Sequence, residues 1–164
     1  VIARPPLPIV LRHNQRLELS RVDYSGVILG EDLHNHATYN AANPIWLGFD
    51  CVSVIHPDVD VSHISLNQLD GVFNAHRELF EPLNLMFMRR SAWVCESVHG
   101  QRFLSHWLTK RNADKSPWAD VRQFDNFDAA GAWMLMTTEN VEALKSGEGF
   151  KEIARFEHAP GRIR

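Results

Sequence analysis

From Gly26 onward, short runs of β-branched and apolar residues alternate with stretches whose apolar side chains recur every three or four positions. Strand periodicity is two and helix periodicity 3.6, so each switch marks a new element. Asp50 to Ile55 is a short run rich in β-branched residues and stops at Pro57. Leu83 to Met88 and Val121 to Phe124 are two further predicted strands. Between them lie helical stripes. Leu29, Leu33, Ala37 and Ala41 form the first, ending at Asn43-Pro44, with Glu31 and Asp32 in its opening turn. Gly100, Phe103, Leu104, Trp107 and Leu108 form another. A last one, capped by Asp125 or Asn126, carries Ala130, Trp133 and Met134.

The strongest single helix signal is Ser65 followed by Gln68, a capping box in which each side chain satisfies a free backbone N–H of the other residue. Leu66, Leu69, Phe73, His76, Phe80 and Leu83 then fall on one face. Ahead of the alternating region, Ile9 to Leu11 and Leu17 to Tyr24 read as a hairpin about a turn at His13-Asn14-Gln15. The predicted order is β-β-α-β-α-β-α-β-α. Strict alternation after a hairpin implies an α/β fold: a mostly parallel, mixed sheet of four or five strands with helices packed on it. Residues 1–137 are expected to form one domain and residues 138–164 a C-terminal extension.

The chain has 164 residues and a net charge of −3, enough for one core and far from the basic balance of a nucleic-acid binder. Residues 1–88 hold five basic and ten acidic side chains, residues 89–164 twelve and ten. No apolar run approaches the length of a membrane helix. Pro5, Pro6 and Pro8 interrupt the apolar lead, and no signal-peptide pattern follows. Cys51 and Cys95 form no C-x-x-C pair. Reduced cysteines and a cytoplasmic location are the expectation, with no cofactor, nucleic acid or membrane partner.

The segment from Tyr24 to Met134 carries further features. Tyr24-Ser25-Gly26-Val27-Ile28 runs into the first helix; Pro44, Trp46, Phe49 and Asp50 precede a strand. Asp58-Val59-Asp60-Val61-Ser62-His63-Ile64-Ser65 leads into the capped helix, and Val121 to Phe124 precedes Phe127-Asp128-Ala129-Ala130. In order and spacing these resemble the STAS-like group that includes anti-sigma-factor antagonists, within a bacterial branch of unassigned function. The resemblance covers about two-thirds of the chain. It implies a regulatory or ligand-sensing domain without chemistry of its own. Such antagonists carry a phosphorylatable serine at the start of the helix that follows the third strand; Ser62 and Ser65 lie nearby as possible phospho-acceptors, although Asp60-Val61-Ser62-His63 replaces their Asp-Ser-Ser/Thr-Gly pattern.

Open α/β sheets bind ligands beyond the carboxyl ends of their strands. That rule places His56, Asp58, Asp60, Ser62 and His63, with Arg89, Arg90 and Trp93, around one expected groove. Two enzyme alternatives stand beside a small-ligand or protein-binding role. In one, Cys95 opens the third helix as a nucleophile, with His99 one turn on as its base. In the other, the loop from His56 to His63 holds a hydrolytic metal. His76, on the apolar stripe, reads as a core histidine. Val141, Leu144, Phe150, Ile153 and Phe156 give the extension an apolar face, expected as two short helical pieces, the first capped by Thr138 and ended by Gly147 to Gly149, that mediate a homodimer through residues 138–158.

Overall fold

The computed structural model describes residues 7–84, 89–114 and 119–159. Its elements are β1 (Ile9–Asn14), β2 (Leu19–Tyr24), α1 (Gly30–Ala42), β3 (Asp50–Ile55), α2 (Leu66–Phe80), β4 (Arg89–Cys95), α3 (Val98–Asp114), β5 (Ala119–Phe124), α4 (Phe127–Trp133), α5 (Thr138–Ser146) and β6 (Lys151–Phe156). The six strands form one mixed sheet in the order β5-β4-β3-β2-β1-β6. β2 to β5 run parallel, and β1 is antiparallel to both of its neighbours. The α/β class and the N-terminal hairpin are as expected; the strand count is six rather than four or five.

Strand order explains the layering. Each step from β2 to β5 moves the same way along the sheet, and right-handed crossovers then put α1, α2 and α3 on one face. From β5, at one edge, the chain returns across the opposite face through α4 and α5 and adds β6 at the other edge. Alternation along the strands feeds two cores. Leu11, Val22, Tyr24 and Ile55 meet Leu69 and Leu104 under α2 and α3. Leu19, Val52, Val54, Ala92 and Val94 meet Ala130, Met134 and Leu144 under α4 and α5.

The capped helix forms as the sequence implies. Ser65 Oγ accepts from Gln68 N–H at 3.1 Å, and Gln68 Oε1 accepts from Ser65 N–H at 2.8 Å. Leu69, Phe73 and Phe80 are buried. Ser65→Ala removes one cap bond and is expected to cost about 1 kcal/mol, read as a lower urea midpoint with unchanged slope.

Four elements depart from expectation. β1 runs on through His13 and Asn14, and the turn lies at residues 15–18, where Asn14 Oδ1 accepts from Leu17 N–H and Glu18 takes a positive φ of 48°. Leu83 ends a 3-10 helix, and residues 85–88 of the expected strand lie outside the described residues. The strand on that side is Arg89–Cys95, so Cys95 closes β4 instead of opening α3. Third, Thr137 rather than Thr138 caps α5, accepting from Asn140 N–H at 3.2 Å, while Gly147, at φ 81°, ends that helix.

The fourth departure is the last segment, a strand and not a helix. β6 pairs along β1 from Ile9↔Phe156 to His13↔Lys151, because β1 otherwise presents a row of unpaired backbone groups. Residues 138–156 therefore belong to the same sheet and core as the rest. α4 and α5 touch so closely that a methyl group added at Gly131 would overlap Val141 Cγ2.

Candidate functional site

A cavity of about 170 Å³ lies between the sheet and α1, α2 and α3. Its floor is a polar row that crosses four strands. The register pairs His13 with Ser20, Ser20 with Cys51 and Cys51 with Ser91. All four side chains line the cavity, with Ser53 one step further along β3. Nearer the carboxyl ends of the parallel strands the walls turn apolar, through Val22, Ile55, Leu69, Phe103, Leu104 and Trp107.

Aromatic rings shape the space. Tyr24 and Trp93, on the neighbours of β3, lie 5.5 Å apart at 27°, close to parallel. Phe73 and Trp107 meet edge to face at 5.4 Å across α2 and α3. His76 lies 4.2 Å from the Phe80 ring and 5.9 Å from Trp107. At the β1 side, His13 rests 4.5 Å from Trp46. The His13 side chain is only 3% exposed, and neither ring nitrogen has a hydrogen-bond partner. His36 projects from α1, with Nε2 3.1 Å from Asn40 Nδ2.

Protein atoms close around most titratable groups here and keep them neutral. Burial lowers His36 to about 4 and His76 to about 3, helped in both by the nearby Arg89 charge. Burial also lowers His13. It raises the Tyr24 hydroxyl and the Cys51 thiol, an effect the Arg89 charge partly offsets. Charge on the cavity wall comes from Arg89 and Arg111; no aspartate or glutamate among the described residues lines it.

The residues read from sequence as one groove separate in the structure. Arg89 and Trp93 line the cavity, but Arg90, next in the strand, points to the other face, where Asp50 holds it at 2.6 Å. His56 and Asp58 follow β3 at the carboxyl end of the sheet and line a broad, open groove on the opposite face. There Asp23 gathers Arg12 at 2.7 Å, Arg21 at 2.9 Å and His56 at 2.7 Å. Asp60 turns back on its own loop, accepting from Ser62 N–H at 2.8 Å, while Asp58, Ser62 and His63 are exposed. The expected groove fails because it assumed a strand at Leu83–Met88. With the strand at Arg89–Cys95, Arg89 lies at the amino end and His56 beyond the carboxyl end.

The two enzyme alternatives meet different geometry from that expected. Among the described residues no three His, Cys, Asp or Glu side chains converge on a metal position. Cys95 lies on a strand end, so the one-turn relation to His99 is lost. Its Sγ donates to Ser97 O at 3.4 Å, burial raises its thiol, and His99 is exposed. Ser65 is engaged as a helix cap, and Ser62 sits on an exposed loop.

Sequence reading missed His13, Tyr24, His36 and Cys51 as cavity residues and assigned His76 to plain core. The signal was present: His13 falls in step with Ile9 and Leu11, so a longer first strand would have turned it inward. Comparison of the chain with known protein families, with curated proteins and with solved structures finds no match to any of them.

Proposed function

We propose that this chain is a STAS-like regulatory domain that senses a small ligand in the cavity under α1, α2 and α3. One observation carries the reading: a cavity with mostly apolar walls, a polar floor and few convergent polar groups is the common form of a small-molecule site. Its histidines, tyrosine and cysteine are held neutral, which suits recognition better than nucleophilic or acid–base chemistry. The motifs between Tyr24 and Met134 that resemble STAS-like domains are the ground for the regulatory part of the reading. No helix among the described residues is long and apolar enough to cross a membrane. We place the domain in the cytoplasm, passing its signal to a protein partner or to a second copy through residues 138–158, where β6 forms a sheet edge.

Trp93 and Trp107 line the cavity and supply a reporter. Benzyl alcohol should quench their fluorescence saturably and raise the unfolding temperature, by mass action on the folded state. Ser91→Leu, which pushes a side chain into the cavity floor, should abolish both effects. Unsaturable quenching, or equal binding to folded Ser91→Leu, would remove the basis of the proposal.

A further inference from the structure

We infer that the cavity takes a small aromatic monocarboxylic acid, with its carboxylate on the Arg89 guanidinium and its ring among Tyr24, Trp93 and Trp107. This rests on the ligand-binding reading above and specifies its chemistry.

The charge argument comes first. Arg89 and Arg90 are adjacent on β4 and face opposite ways. Arg90 has its own carboxylate, with Nε and Nη2 both on Asp50 Oδ2 at 3.0 and 2.6 Å. Arg89 lines the cavity and has no ion pair with any described residue, and no described carboxylate shares that wall. A guanidinium beside an apolar space is a two-pronged donor awaiting a planar anion, and a carboxylate matches that fork. Its charge is felt at Tyr24, His36, Cys51 and His76, groups from four elements besides its own. The guanidinium thus lines the cavity within electrostatic reach of its buried polar groups.

Size and wall chemistry then restrict the body of the ligand. An apolar cavity of roughly 150 Å³ accommodates benzene. The present volume of about 170 Å³ takes one six-membered ring with a small substituent. It is too small for a nucleotide or a long acyl chain, whose sites run to roughly 300 Å³ and more. Tyr24, Trp93 and Trp107 all line the space, and three aromatic rings favour a flat π-system over a branched aliphatic one.

His13 adds an independent sign. A neutral imidazole offers one donor and one acceptor, and burying both without partners is unfavourable. Here both ring nitrogens are unpartnered on a side chain that lines the cavity. A hydroxyl or carbonyl on the ligand ring would satisfy one of them.

The experiment is calorimetric titration of the full chain with benzoate and with benzyl alcohol, its neutral counterpart, repeated on Arg89→Met. Benzoate should bind one to one, at least about tenfold more tightly than benzyl alcohol. In Arg89→Met, benzoate should weaken at least about tenfold while benzyl alcohol stays within about threefold of the unmodified chain. Retained benzyl alcohol binding shows that the variant is folded. Should Arg89→Met be unfolded, Arg89→Lys replaces it: a point charge without the fork should bind benzoate more weakly than arginine does and benzyl alcohol as before. Equal binding of the two probes by the unmodified chain, or undiminished benzoate binding in the folded variants, would overturn the carboxylate assignment and leave the ligand-binding reading standing. Failure of both probes to bind would overturn the two together.

Discussion

A chain ending at Thr137 is expected to lose cooperative folding at neutral pH. The cut removes α5 and β6, whose side chains and backbone are built into the rest. Leu144 is fully buried and Val141 nearly so, packed with strand residues Leu19, Val52 and Val54 and with Ala130 and Gly131 of α4. Truncating one buried leucine to alanine costs about 2–5 kcal/mol. The deletion also strips β1 of one hydrogen-bonded neighbour and leaves Arg21 without the Leu144 carbonyl to which it donates. Asp32, fully buried at the start of α1, loses His158 Nδ1 at 2.9 Å and keeps only the Leu29 N–H. A domain of this size is stable by roughly 5–15 kcal/mol in total, so the combined losses reach that whole margin. Circular dichroism with urea unfolding reads the outcome. Leu144→Ala in the full chain provides the graded version, with an expected loss of about 2–5 kcal/mol. A truncated chain that unfolds in one sharp transition near the full chain's midpoint would mean that α5 and β6 are accessory.

That result bears on what the sequence could show. Local patterns carried the helices up to α4 and the strands β3 and β5: Ser65 and Gln68 announced α2, and Asn126 and Pro44 marked boundaries that the backbone respects. The failures are non-local. Lys151 to Phe156 has no local strand signature, and becomes a strand because β1 offers an edge far away in sequence. The Leu83–Met88 run is more apolar than Arg89–Cys95, yet the latter pairs with β3, anchored by Arg90 on Asp50. Site residues were hidden for a related reason. His13, Ser20, Cys51 and Ser91 are polar groups at inward positions, where alternation predicts apolar ones. Only the register across four strands joins them into one floor. A single sequence displays which residues alternate; it does not display which ones stand side by side.

The same inward histidines make stability depend on pH. In the unfolded chain a histidine titrates near 6.5. In the folded protein burial holds His36 at about 4 and His76 at about 3, and lowers His13 as well. Below pH 6.5 the unfolded state therefore binds more protons, and folding stability falls as pH falls. The slope is at most about 1.4 kcal/mol per pH unit for each ring, and less here because part of the His36 and His76 rings faces the cavity. Arg89 and Arg111 reinforce the effect by opposing a second positive charge nearby. His56 acts in the other direction. Its hydrogen bond to Asp23 raises it, so its stabilising contribution is present at low pH and lost as pH rises through its folded value. Asp23 itself is lowered: burial would raise it, but hydrogen bonds from His56 and Arg21 outweigh that, so its contribution is lost only in the more acidic carboxylate range. With three lowered rings against one raised, stability should drop by about 1–3 kcal/mol between pH 6.5 and 5.0. Urea midpoints at half-unit steps measure this, and His76→Phe should flatten the slope by removing one proton site while keeping an aromatic ring against Phe80 and Trp107. A stability that stays level or rises over that interval would show that these histidines accept protons in the folded state, and that the cavity is open enough to hydrate them.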